Sequence, residues 1–285
     1  MKISIVTVSF NQRQFLESAI KSVLSQNYPE LEYIVVDPGS TDGSRHVIAR
    51  YSGRISKMVL EPDAGAADGL NKGFSYATGS VYGFLNSDDM LLPGALHAVA
   101  ACFDESPAAD IVMGDGYITD EDGNRLRHIK AASFTPMRLV YGGTTSLQQS
   151  TFFRSSAYLA SNRFNVSNTS CWDVELFLDL VQKGATVKYL RQDLALFRVH
   201  GASITGTNRL RHAYKRDRQR LFCKVRGRDW RTIDHLTSAY YKCLRFAADP
   251  LQLFSTVRSR LGDYGGLVPR HLATYLRNVS RDIEP

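Results

Sequence analysis

The stretch "VYGFLNSDDML", residues 81–91, decides the architecture. An apolar run, Val81 to Leu85, ends in Asn86, Ser87 and two adjacent carboxylates, Asp88 and Asp89. A short, continuously apolar run reads as a strand buried on both faces. Two like charges at its end repel each other, and nearby apolar surface makes the repulsion worse. Water, a basic side chain or a metal ion must compensate them.

Strand and helix periods alternate on both sides of this stretch. Upstream, "ISIVTVSF" is a β-branched strand, and from Gln12 the apolar residues Phe15, Ala19, Val23 and Leu16, Ile20, Leu24 recur at helical spacing. "YPE" breaks that helix and "LEYIVVD" is a second strand. "STDGS" turns into a helix near Ser44, "KMVLE" is a third strand, and "AADGLNKGFSYA" is a helix ending at Gly79. Downstream, Pro93 opens a helix to about Asp104, and "DIVMGD" is a fifth strand. Such alternation predicts a mostly parallel α/β sheet with helices on both faces, binding its ligand beyond the C-terminal strand ends. Polar residues collect at those ends: Ser9-Phe10-Asn11, Asp37, Glu61 to Asp63, and Asn86 to Asp89.

Past residue 115 a hairpin is expected around Asp122-Gly123. "SLQQSTFFRSSAY" reads as a strand entering a helix, "WDVELFLDLVQKG" as an amphipathic helix, and "VKYLRQDLALFRVHG" as a strand-rich segment reaching His200. The chain turns basic and helical from about Thr207. Residues 201–285 hold 17 Lys/Arg against 7 Asp/Glu, whereas the first 200 carry 18 against 21.

The 285 residues are 44% hydrophobic and 11% aromatic, which excludes wholesale disorder. No run approaches the roughly 18 apolar residues of a membrane span. "MKISIVTVSFNQ" does not read as a secretory leader. Cys102, Cys171, Cys223 and Cys243 are scattered, which fits free thiols in a cytoplasmic protein rather than disulfides or zinc ligands. The glycosylation-like triplets at Asn165, Asn168 and Asn278 therefore carry no weight. A dinucleotide fingerprint needs G-x-G-x-x-G after the first strand, where "SFNQRQF" has no glycine, and a P-loop lysine is missing. Diphosphate charge would then need a divalent cation held by carboxylates at the fourth strand end.

Three blocks in register, residues 3–44, 61–91 and 172–184, resemble the family 2 glycosyltransferases of GT-A fold, closest to bacterial surface-polysaccharide enzymes. The resemblance implies a catalytic domain over 1–205, with a nucleotide-binding part about 1–115 and an acceptor-binding part about 116–205. A basic, mostly helical region, 206–285, follows. It also implies an inverting transfer from a nucleoside-diphosphate sugar, most simply a UDP-sugar, to a saccharide or polyprenyl-linked saccharide acceptor. Ser9, Phe10 and Asn11 would line the donor site, and Asp37 would accept a hydrogen bond from the base; its alternative is to cap the following turn. Asp68 and Lys72 would approach ribose and phosphate, or simply form a surface ion pair. Asn86 or Asp88 would contact ribose, and Asp89 would hold Mn²⁺ or Mg²⁺ with His200 nearby. The alternatives are a helix cap at the carboxylates and a structural histidine. Asp173 would be the general base, with Glu175 as fallback, and Trp172, standing where the family has Glu, would offer the acceptor a flat face. The basic region suggests either contact with an anionic membrane surface, peripheral at the inner face, or packing on the body; nucleic acid is not an expected partner. A sugar-1-phosphate nucleotidyltransferase and a non-catalytic sugar-nucleotide-binding module are the competing classes.

Overall fold

A computed structural model describes residues 1–201, 203 and 210–248. The remainder of the basic region, residues 249–285, lies outside the described residues. In chain order the elements are β1 (Ile3–Val8), α1 (Arg13–Leu24), β2 (Leu31–Val36), α2 (Ser44–Arg50), β3 (Lys57–Val59) and α3 (Ala66–Ser75). Then come β4 (Val81–Asn86), β5 (Met90–Leu91), α4 (Ala95–Glu105), β6 (Ile111–Thr119), β7 (Arg125–Ile129) and α5 (Pro136–Val140). A 3₁₀ turn (Gln148–Ser150) leads into β8 (Thr151–Arg154), followed by α6 (Ser155–Ala160), α7 (Trp172–Gln182), β9 (Val187–Arg198), α8 (Arg211–Arg226) and α9 (Ile233–Ala248).

One sheet runs β3-β2-β1-β4-β8-β6-β9-β5, with β7 pairing β6 outside that path. The β3-β2-β1-β4 half is parallel throughout, as a βαβ chain of apolar strands requires. The other half is mixed. β8 inserts antiparallel between β4 and β6, so the strand read in "DIVMGD" does not neighbour β4. β5, two residues long, pairs antiparallel with β9 just after the carboxylates. β8 and α6 are the strand and helix read in "SLQQSTFFRSSAY"; that this strand returns to lie between β4 and β6 is not encoded in any local period.

Helices cover both faces. On one, Leu16, Ile20 and Val23 of α1 and Val99 and Phe103 of α4 cluster with Ile3, Ile5 and Leu85. On the other, Leu70 and Phe74 of α3 and Trp172, Leu176 and Phe177 of α7 cluster with Val6, Ile34, Val36 and Phe84. α3 lies very close to the sheet at Gly73, where a Cβ would sit 2.5 Å from a Val6 methyl.

The described part of the basic region packs on the body. Leu221 joins the α3/α7 core, and Phe222 packs with Tyr141 and Trp230. Arg220 pairs with Glu175, Lys224 with Asp179, and Arg228 with Asp234. Among the described residues no helix is long and apolar enough to cross a membrane.

Two stability measurements follow from this packing. Gly73→Val should cost about 2 kcal/mol in urea unfolding, because the branched side chain must push α3 off β1. Burial alone would raise the Glu175 carboxyl, but Arg220, Asn168 and Asn165 outweigh it and bring it from 4.5 to about 2. A depressed folded-state value contributes stability above the ordinary value that is lost as pH falls through the folded one. Glu175→Gln should therefore melt below wild type at neutral pH, with the gap closing between about pH 4.5 and about 2.

Candidate active site

The loops after β1 and β2 are tied into one surface. Asn11, in the left-handed region at φ 52°, accepts from the Thr41 N–H through Oδ1, and its own N–H donates to Ser40 Oγ. Asp42 turns the second loop by accepting from Ser44 and also caps α1 by accepting from the Arg13 N–H at 2.8 Å. Phe10 stands 59% exposed at the end of β1, free to lie against a planar ring. Asp37, fully buried at the end of β2, accepts through Oδ1 from Gly39 N–H, Ser40 N–H and Arg45 Nε. Its other oxygen, Oδ2, is buried without a partner among the described residues, as is Ser9 Oγ. The turn-capping alternative for Asp37 is thus present, yet it uses only one of the two oxygens. An orphaned buried carboxylate oxygen is costly unless a ligand N–H completes it. Arg45, the cation that makes the burial tolerable, was not singled out in the sequence; its only signal is its position in the first turn of the helix after the loop.

α3 starts beyond β3. Asp68 accepts from the Ala64 N–H and pairs with Lys72 at 3.2 Å, while Lys72 also donates to the Pro62 carbonyl. The plain ion pair exists, and it holds the β3–α3 loop. Asp63 in that loop has its carboxyl raised, chiefly by burial and further by Asp68 and Asp37 nearby.

The two carboxylates of the opening motif part company. Asp89 is fully buried. Its Oδ1 accepts from the Arg198 N–H at 3.0 Å, and its Oδ2 from Gln149 Nε2 at 2.5 Å and Asn86 Nδ2 at 3.2 Å. Burial first and Asp88 second push its proton affinity well up. Asp88 keeps 18% of its side chain exposed, and its Oδ2 lies 3.2 Å from His200 Nε2. His200 is itself 3% exposed, with its ring 4.4 Å from that of Phe15. The carboxylate expected to hold the metal is therefore the enclosed one, and the one expected at ribose faces the histidine. The Arg198 guanidinium, near both, lies over the Phe15 ring. Gln148 and Gln149 sit in a strand approach, and nothing local marks either amide as a partner of residues about sixty positions away.

α7 enters above the same edge. The Trp172 ring packs against Phe84 at 5.6 Å and Phe164 at 5.7 Å. Being 9% exposed, it is a core residue and corrects the expectation of an open face for an acceptor; its apolar ring is worth more buried than in water. Because Phe84 is two residues before Asn86, this contact sets the first turn of α7, with Asp173, over the end of β4. Asp173 stays partly accessible although protein surrounds it, and burial raises its carboxyl against two backbone N–H groups of that turn. Glu175, by contrast, is locked by Arg220 at 2.6 Å from each guanidinium nitrogen. A carboxylate so held and acidic is a poor base.

Among the described residues one further group has metal-ligand spacing: Asp115, His128 and Asp193, with ligand atoms within 4.8 Å of one another. Asp115 already accepts from the Ala131 N–H, and Arg191 Nη1 lies 3.5 Å from its carboxylate.

Comparisons with known proteins agree with this fold. A TarS structure from S. aureus in complex with UDP superposes with a TM-score of 0.64 at 18% identity, covering 99% of this chain and 89% of that one. The mannosyltransferase PcManGT from Pyrobaculum calidifontis, in complex with GDP-Man and Mn²⁺, gives 0.61 at 14% identity, covering 99% and 86%. These likenesses establish a GT-A fold. An uncharacterized glycosyltransferase of Nostoc is 29% identical over 216 residues, 71% of this chain and 66% of that one. The putative teichuronic acid biosynthesis glycosyltransferase TuaG of Bacillus subtilis is 41% identical over 90 residues, 30% of this chain and 36% of its own. The chain thus spans less than two thirds of either relative's length. The family model for glycosyl transferase family 2 matches residues 4–167, more than half of the chain, and the protein belongs to that family.

Proposed function

We propose that this protein is an inverting glycosyltransferase of bacterial polysaccharide assembly. It moves one sugar from a nucleoside-diphosphate donor to a hydroxyl of a saccharide or polyprenyl-linked saccharide. The observation that carries the reading is the pairing of Asp88 with His200, 112 residues apart, at the strand edge that also holds the orphaned oxygen of Asp37 and the carboxyl of Asp173. Names among the relatives, teichuronic acid biosynthesis above all, support the polysaccharide context. A nucleotidyltransferase is not favoured, since the loop after β1 brings no glycine to a phosphate.

Asp88 Oδ2 and His200 Nε2 fit a divalent cation. Neighbouring ligand atoms around an octahedral Mg²⁺ or Mn²⁺ lie about 3 Å apart, and these lie 3.2 Å apart. A bound cation would neutralise charge on the departing diphosphate. Asp89 then acts from behind: its cage of three donors holds the β4–β5 turn so that Asp88 points outward. Asp37 Oδ2 accepts from a ring N–H of the base, and Phe10 covers the ring. Asp173 takes the proton of the acceptor hydroxyl as its oxygen bonds to the anomeric carbon and the bond from that carbon to the diphosphate breaks. A base raised by burial and open to solvent on one side suits this step near neutral pH.

Peripheral membrane contact would use α9, where Ile233, Leu236 and Tyr240 are 59%, 68% and 59% exposed beside the exposed Arg231. An anionic leaflet would attract the flanking cations and receive the apolar stripe.

Asp173→Asn should lower turnover by about a thousandfold and leave Mn²⁺-dependent binding of UDP or GDP intact by calorimetry. Asp88→Ala should lose that binding. Retained turnover in Asp173→Asn would refute the base, and retained metal-dependent binding in Asp88→Ala the cation pair. Leu236→Asp should reduce sedimentation with phosphatidylglycerol liposomes; equal pelleting of variant and wild type would remove α9 from the membrane reading.

A further inference from the structure

We propose that Arg220 of α8 is a positioning residue for Asp173, so that a helix of the basic region completes the catalytic site. The inference rests on the reading of Asp173 as the base.

Asp173 has no side-chain hydrogen-bond partner among the described residues; only backbone N–H groups of its own turn act on it. Its direction is therefore set by whatever holds the start of α7. No side-chain cap does so, since Cys171 at the N-cap position makes none. The segment before it, residues 161–171, is irregular.

α8 supplies the missing restraint along one face. Asp217, 2% exposed, accepts from Ser170 Oγ at 2.6 Å. Arg220 donates from Nη1 to Glu175 Oε1 and from Nη2 to Oε2, at 2.6 Å each. Lys224 reaches Asp179 at 3.3 Å. Positions 217, 220, 221 and 224 fall on the same side of a helix, and Leu221 between them shares an apolar cluster with Trp172. Ser170 and Glu175 bracket Asp173 in sequence, so α8 grips the chain on either side of it. The Arg220–Glu175 contact dominates, because a two-pronged guanidinium–carboxylate pair fixes angle as well as distance. Glu175 also gathers the Asn165 and Asn168 amides, which carries the same restraint into the loop that leads to Asp173. A carboxylate that must meet an acceptor hydroxyl at hydrogen-bond distance is sensitive to shifts of about 1 Å.

The test uses the full-length chain with Arg220→Lys, Arg220→Ala and Asp173→Asn. Release of nucleoside diphosphate is followed for whichever of UDP-GlcNAc or GDP-Man wild type consumes with Mn²⁺, alongside UDP and GDP binding and melting temperature. Arg220→Lys keeps the charge but loses the fork. It should fold, bind nucleotide as wild type, and lose about tenfold in turnover at saturating donor. Arg220→Ala should lose about a hundredfold, measured well below its own melting temperature. Wild-type turnover in either folded variant overturns the inference, as does a loss confined to nucleotide affinity. Should Arg220→Ala not fold, Arg220→Lys alone decides. If Asp173→Asn keeps its turnover, the base reading has failed and the positioning inference with it; if only the Arg220 variants keep theirs, the base stands and the inference alone falls.

Discussion

A carboxylate with no access to water and no cation directly against it is one of the costlier things a protein can bury. Asp89 is such a group, and much of the site depends on how it is accommodated. Its three donors come from β4, from the turn before β8, and from the end of β9. Satisfying it therefore requires three separately folded segments to meet at one point. Once they do, the turn after β4 has one arrangement, and Asp88, the neighbouring residue, faces the other way toward His200. The repulsion between adjacent charges is resolved by direction: one is solvated by amides, the other faces a histidine.

The same logic appears at Asp37 on a smaller scale. One oxygen is saturated by two backbone N–H groups and Arg45, and the other is buried and unmatched among the described residues. A site built from half-satisfied carboxylates is poised for ligands that donate hydrogen bonds or bring positive charge. Folding alone does not compensate those oxygens.

The C-terminal helices alter the meaning of the basic charge. Read as composition, an excess of Lys and Arg suggests phosphates or a membrane. In the folded chain Arg220, Lys224 and Arg228 are engaged with carboxylates, and α8 belongs to the structural frame of α7. The exposed apolar residues of α9 are what remain of the surface reading.

Local periodicity is a property of a chain with its near neighbours, and it determined a good deal here. The alternating strands and helices of residues 1–115, the helical spacing of α1 and the acidic end of β4 were all legible, because side-chain repeats of two and 3.6 report directly which face is buried. Asp173 was reached by resemblance, from a motif block in register, and His200 by resemblance beyond the three blocks. Tertiary structure alone decided that β8 separates β4 from β6, that Trp172 is core, that Asp89 turns inward while Asp88 turns outward, and that Arg220 grips Glu175. Each of these rests on partners brought together from distant parts of the chain, Gln149 with Asp89 across 60 residues and Arg198 with Asp89 across 109. No repeat within a short window carries information about a contact that exists only after the sheet has closed around it.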